Sequence, residues 1–172
     1  MAGIVKSTCL VESENVAGVE TGDVFSNLQQ LNDLGIEDLQ LVAILNCQNE
    51  YGSVSGLQCI VSSKSDPGLT YYLDPIGLIT EAGYCLRLNF TSPIDQIFAS
   101  YNTSTEAVDS IRYLRTSTIT YRTFGVLQEA QTTWLFDDDR EVVGIHGRME
   151  ESKIKQLGFI MKEEDSVCGG RD

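Results

Sequence analysis

One histidine, one tryptophan and three prolines stand in a chain of 172 residues, and only 12 Lys and Arg face 25 Asp and Glu. With His146 as the sole imidazole, neither a two-histidine metal site nor a triad with a second ring as alternative base can be built. The formal net charge of −13 repels phosphate backbones and anionic lipid heads, and no basic stripe offsets it, which argues against nucleic acid and membrane surfaces as partners. No apolar run approaches the roughly eighteen residues that a membrane span needs. The start Met1-Ala-Gly-Ile-Val-Lys-Ser-Thr lacks the basic end and apolar core of a secretory signal. The expectation is an intracellular protein with no membrane insertion. Cys-x-x-Cys pairs are absent too: Cys9, Cys47, Cys59, Cys85 and Cys168 are odd in number and scattered, three of them within strand-like runs. That pattern predicts buried free thiols in a reducing compartment. Asn89-Phe-Thr and Asn102-Thr-Ser match the N-glycosylation acceptor pattern, which in a chain without a secretory signal is expected by chance.

What is present is a succession of short apolar, β-branched runs separated by turn residues. Leu39 to Cys47 and Val54 to Ser62 flank an Asn49-Glu-Tyr-Gly-Ser turn. Leu69 to Leu73 and Tyr84 to Phe90 are divided by Asp74-Pro-Ile-Gly and Glu81-Ala-Gly. Ile94 to Tyr101 and Val108 to Thr116 flank Asn102-Thr-Ser-Thr, and Thr132 to Phe136 ends at Asp137-Asp-Asp-Arg. Between Phe25 and Leu34 the leucines recur every three residues, but Asn27, Asn32, Asp33 and Gly35 argue for an irregular segment. Val142 to Ile145 and Ile154 to Ile160 form a last pair around a polar loop running from Gly147 through Lys153. The length suits one domain, predicted as all-β over residues 18–162. Residues 1–17 read as a polar leader, mobile or borrowed as a strand, and residues 163–172 as a polar, flexible tail.

Glu141-Val-Val-Gly-Ile-His-Gly-Arg, followed by Ile154-Lys-Gln-Leu-Gly-Phe, resembles the closing signature of jacalin-like lectin domains. Three other stretches resemble the same family. These are the opening Gly18-Val-Glu-Thr-Gly-Asp-Val-Phe-Ser, the piece Gly56-Leu-Gln, and residues 108–125, where Arg122 and Thr123 stand in place of the usual Gly and Pro. The resemblance implies a β-prism of three four-stranded Greek-key sheets. It also implies a sugar site in which the Asp of a Gly-x-x-x-Asp loop and backbone N–H groups hold the ligand, with the opening glycine, Gly18 or Gly22, lining it. Here Lys155 stands at the Asp position, the glycine of that element is missing, and Met149 to Lys153 lengthen the loop by about one residue.

The family-implied site therefore comprises Gly18, Gly22, Gly147, Glu150, Glu151 and Lys155, with Glu150 or Glu151 as candidate replacements for the lost carboxylate. Lys155 can only donate, so it inverts the chemistry of the position. Six tyrosines at 71, 72, 84, 101, 113 and 121 could stack on a sugar, but half-buried strand residues are the plainer reading. His146 is expected to be structural, and Asp137 to Asp139 a solvated turn, since the following Arg-Glu-Val-Val lacks the ligand pattern of a calcium loop. The expectation is a non-enzymatic binding module with no cofactor and no metal. Its partner is a protein in a larger assembly, with a possible oligomer. The alternative is a working lectin that uses the 147–155 loop.

Overall fold

The computed structural model describes residues 8–77, 79, 84–90, 94–115, 120–150 and 153–164. In chain order the elements are β1 (Thr8–Glu12), β2 (Ala17–Gly18), β3 (Asp23–Ser26), α1 (Leu28–Leu34), β4 (Leu39–Gln48), β5 (Val54–Ser63) and β6 (Asp66–Tyr72). They continue with β7 (Ile76–Gly77), β8 (Tyr84–Asn89), β9 (Gln96–Asn102), β10 (Ala107–Arg115), β11 (Thr120–Gly125), β12 (Ala130–Leu135), β13 (Arg140–Glu150) and β14 (Lys153–Glu164).

Three antiparallel sheets result. The first runs β1-β14-β13-β3 with β2 also on β14, the second β6-β5-β4-β8 with β7 on β5, and the third β11-β10-β9-β12. In each, one strand sits beside a neighbour that is distant in sequence, as β8 beside β4 and β12 beside β9, which is the Greek-key return. The expected three four-stranded paths are present, two of them with a two-residue strand added.

The sheets turn their apolar faces onto one shared core. Leu57 and Val61 come from the second sheet, Ile97 and Ile111 from the third, and Ile145, Leu157 and Phe159 from the first. Strand alternation selects these residues, because every second side chain of a half-buried strand faces inward. Trp134 meets Phe159 edge to face at 4.8 Å between ring centres, and Phe136 approaches the same ring at 6.3 Å.

A glycine recurs at one equivalent place in all three sheets. Gly18 pairs with Gln156, Gly77 with Gly56, and Gly125 with Ser110, each at positive φ. A Cβ at these positions would lie 2.1 Å from Lys155 O, 2.2 Å from Ser55 O and 2.0 Å from Asp109 O respectively. Backbone touches backbone at all three, and any side chain would force them apart.

Four expectations are corrected. The irregular segment is a helix, α1: Leu28, Leu31 and Leu34 pack on the core, and Gly35 ends it in the left-handed conformation that a C-terminal glycine allows. Its start is anchored by buried Asn27, whose Oδ1 accepts from Ile145 N at 3.1 Å and whose Nδ2 donates to Asp74 O at 3.0 Å. The leader is not all mobile, because β1 pairs with β14 over five residues and so takes the borrowed-strand alternative. The 147–153 loop is largely strand: β13 runs to Glu150 and β14 begins at Lys153. At the end of the hairpin Glu150 and Lys153 are exposed, and polarity alone cannot distinguish such a strand end from a loop.

The fourth correction concerns the thiols. Cys47 and Cys85 face each other across β4 and β8 with Cα atoms 4.0 Å apart, and they form a disulfide. Cys9 is disulfide-bonded as well, Cys59 is free and buried, and Cys168 lies outside the described residues. Scatter along the sequence says nothing about pairing across strands, which is why the odd count misled. No described helix is long and apolar enough to cross a membrane.

Candidate functional site

The far end of the β13–β14 hairpin meets two other segments of the prism, the Gly18 to Asp23 connection and the β9–β10 turn. Val19 N donates to Lys155 O at 3.0 Å, and β3 pairs along β13 from Asp23 opposite Met149 to Ser26 opposite His146. Arg148 Nη1 donates to Gly22 O at 3.3 Å, and Lys153 Nζ reaches Thr105 O at 3.4 Å.

Gly18 and Gly147 lie on the two sides of one stretch of β14. A Cβ on Gly147 would fall 2.0 Å from Gln156 O, and one on Gly18 would fall 2.1 Å from Lys155 O. Gly22 sits further out, where a Cβ would be 2.7 Å from Met149 O. The structure thus brings Gly18, Gly147 and Lys155 together with Gly22 at their edge. Glu150 is exposed at the tip, and Glu151 lies outside the described residues.

The Lys155 side chain is only 8% exposed, and its ammonium lies 3.4 Å from Oε2 of Glu106, which is 65% exposed. Glu106 is the residue that sequence reasoning missed. It closes the Asn102-Thr-Ser-Thr turn in the left-handed region at φ 52°, and nothing in its own neighbourhood marks it as a partner for a residue 49 positions away. Where a sugar-binding apex presents a carboxylate to accept from hydroxyls, this one presents a buried cation already engaged by a carboxylate.

A second cluster invites a catalytic reading. His146 Nε2 lies 3.2 Å from Ser13 Oγ, and its Nδ1 lies 3.3 Å from Glu12 Oε2, the connectivity of a nucleophile, a base and an orienting acid. The surroundings exclude that role. Ser13 is 5% exposed, and its Oγ donates to Asn15 O at 2.9 Å while accepting from Phe159 N at 3.0 Å. With its hydrogen on Asn15 O and a lone pair on Phe159 N, this buried oxygen is engaged by backbone and is not presented to a substrate. Beside it, Gly158 leaves no slot, since even a Cβ there would fall 2.3 Å from Nε2. The cluster clasps β1 and its following turn to β13 and β14. Burial lowers the imidazole pKa below its ordinary value, with Glu12 pulling the other way.

Asp137 and Arg140 close the acidic turn as a backbone bridge, with Asp139 N donating to Asp137 Oδ1 at 2.9 Å. Of the tyrosines, Tyr72 and Tyr84 are exposed and Tyr113 is buried.

Neither a family model nor a curated protein matches the sequence. Solved structures do match, on fold. Frutalin from Artocarpus incisa superimposes with a TM-score of 0.65 at 14% identity, covering 94% of this chain and 99% of its own. The Malaysian banana lectin gives 0.64 at 12%, covering 91% and 99%. A mannose-specific jacalin-related lectin from Morus nigra, in complex with mannose, gives 0.62 at 11%, covering 94% and 98%. The chain has the jacalin-related lectin fold. At these identities the likeness concerns the path of the backbone, which follows the jacalin-related prism over most of the chain. The jacalin-related apex is therefore where this chain's own residues must be judged.

Proposed function

We propose that the chain is a non-catalytic recognition module in which the prism is retained and the sugar site at the β13–β14 apex is closed, so that its partner is a protein in a larger assembly. The observation that carries this reading is the Lys155–Glu106 pair. An ammonium buried at the carboxylate position cannot accept from a sugar hydroxyl, and this one lies 3.4 Å from the Glu106 carboxylate. The rest of the apex suits a polypeptide better than a polyhydroxylated ring. Val24, on β3 directly opposite Arg148, is 73% exposed, and the cations Arg148 and Lys153 each donate to a backbone carbonyl, Gly22 O and Thr105 O. The buried Ser13 oxygen, engaged by two backbone groups, supports the non-catalytic half. The alternative, a working lectin using Glu150 at the tip, rests on the fold, which by itself does not carry function.

A glycan array probed with the intact protein and with Lys155→Asp tests the reading. The unmodified protein is expected to be silent. A gain of binding by Lys155→Asp would identify the cation as what closes the apex and supports the proposal. Binding of a mannose-type glycan by the unmodified protein, lost on Lys155→Ala, would overturn it.

A further inference from the structure

The core face of the third sheet ends in charge. Ile111 pairs with Phe124 and Tyr113 with Arg122 across β10 and β11, and these four side chains share one face of the sheet. Ile111, Tyr113 and Phe124 are buried on it, which makes it the core face, and Arg115 follows Tyr113 at the same parity. Arg122 is nonetheless exposed, with its Cζ 5.4 Å from the centre of the Phe124 ring. The apolar face thus stops at Tyr113, and arginines continue it.

A cleft of about 130 Å³ opens there between the second and third sheets. Among the described residues its walls include Leu88 and Phe90 at the end of β8, Ile94, Tyr113 and Arg115 on β10, and Arg122 on β11. Its floor is aromatic, because the rings of Phe90 and Tyr113 stand 6.0 Å apart at an interplanar angle of 56°. Tyr113 Oη donates to buried Asn46 Oδ1 at 2.7 Å, so the one proton of the phenol is committed to the interior.

Size and charge together define an occupant. An apolar cavity of roughly 150 Å³ holds a benzene ring, so this cleft takes one ring and leaves a polar substituent at the mouth. A guanidinium there meets a carboxylate through two parallel N–H donors. The formal net charge of −13 opposes every anion and a dianion twice as strongly, which favours a monoanion over a phosphate ester.

We propose that this cleft binds a small aromatic monocarboxylate, with the ring on Phe90 and Tyr113 and the carboxylate on Arg122. The site is independent of the partner proposed above. Glu106 precedes the first residue of β10, whereas the cleft lies at the strand's other end, and the nine residues from Ala107 to Arg115 extend about 26 Å. A guanidinium that only shielded the Phe124 ring would bind no anion, and this is the outcome that the test separates.

The test is a titration of the intact protein with phenylacetate, followed by the NMR resonances of Phe90, Ile94 and Tyr113. Saturable shifts at these residues are expected, with a midpoint on the order of a millimolar for a ligand of this size. Phenylacetamide, which has the same shape without the charge, should bind the same protein at least about tenfold more weakly. Arg122→Gln should weaken phenylacetate by a similar factor, and because Arg122 is exposed the remaining resonances should stay in place. Absence of saturable shifts at the three residues overturns the site. Equal binding of phenylacetamide, or undiminished binding of phenylacetate by Arg122→Gln, overturns the carboxylate as its ligand.

Discussion

His146 is held by groups from two other segments, with Glu12 and Ser13 on its two nitrogens and Gly158 against its ring. Because burial lowers its pKa in the folded protein, the unfolded chain binds a proton more readily, and the stability due to the neutral ring is fully present above about pH 6.5. It is lost as pH falls through the folded pKa. Thermal denaturation from pH 7.5 down to 5 should therefore show a falling melting temperature, with a shallower slope in His146→Gln. An equal slope in the two proteins would remove the imidazole as the cause. At this scale the sequence was readable where backbone demands a residue type, as at Gly18 and Gly147, which only glycine satisfies. It was unreadable where a side chain finds its partner through the fold, as Lys155 finds Glu106 and His146 finds Ser13. Spacings of 49 and 133 residues carry no local signal.

At the scale of elements, β8 is a strand that a cross-link secures. It lies at the end of its sheet and pairs only with β4, so the Cys47–Cys85 bond secures it where hydrogen bonding secures it on one edge. The bond spans a sequence separation of 38, and a loop of that order stabilises the folded chain by about 2–4 kcal/mol through the unfolded state. Replacing both cysteines by alanine should lower the unfolding free energy by about that amount in urea titrations, and selective loss of amide protection in β8 should accompany it. Unchanged protection there would show that packing of Leu86 and Leu88 holds the strand unaided. Most strands were legible from alternation and turn residues, including β4, β5, β9 and β10. Helix α1 was not, because asparagines and an aspartate mask its leucine stripe, and its anchor, Asn27, acts through a strand distant in sequence. The hairpin extension to Glu150 and Lys153 was hidden by the same rule that reads polar runs as loops.

Across the molecule, the three sheets are locked alike by Gly18, Gly77 and Gly125, yet the residues before their paired partners are Lys155, Ser55 and Asp109. One architecture thus offers three chemically different corners: a cation engaged by Glu106, a neutral hydroxyl, and a buried carboxylate held by Asn102 and Gln128. The prism could be recognised from its ordered motifs because backbone contacts restrict residue choice at few positions. The corners were legible only as departures from a pattern.

Cys59 lies at the centre of this arrangement, free, fully buried, and with its thiol pKa pushed up to about 12 by desolvation. Only a thiolate attacks a disulfide or an alkylating reagent, and at neutral pH Cys59 in the folded chain is neither ionised nor reachable. The prism can therefore carry a reduced sulfur alongside oxidised ones without shuffling them, for as long as it stays closed. Opening ends that protection, so the rate at which a maleimide consumes Cys59 measures how often the core is breached, one molecule at a time and without denaturant. A rate that rises in step with reagent concentration reports the population of the open state, and a plateau reports the opening step itself.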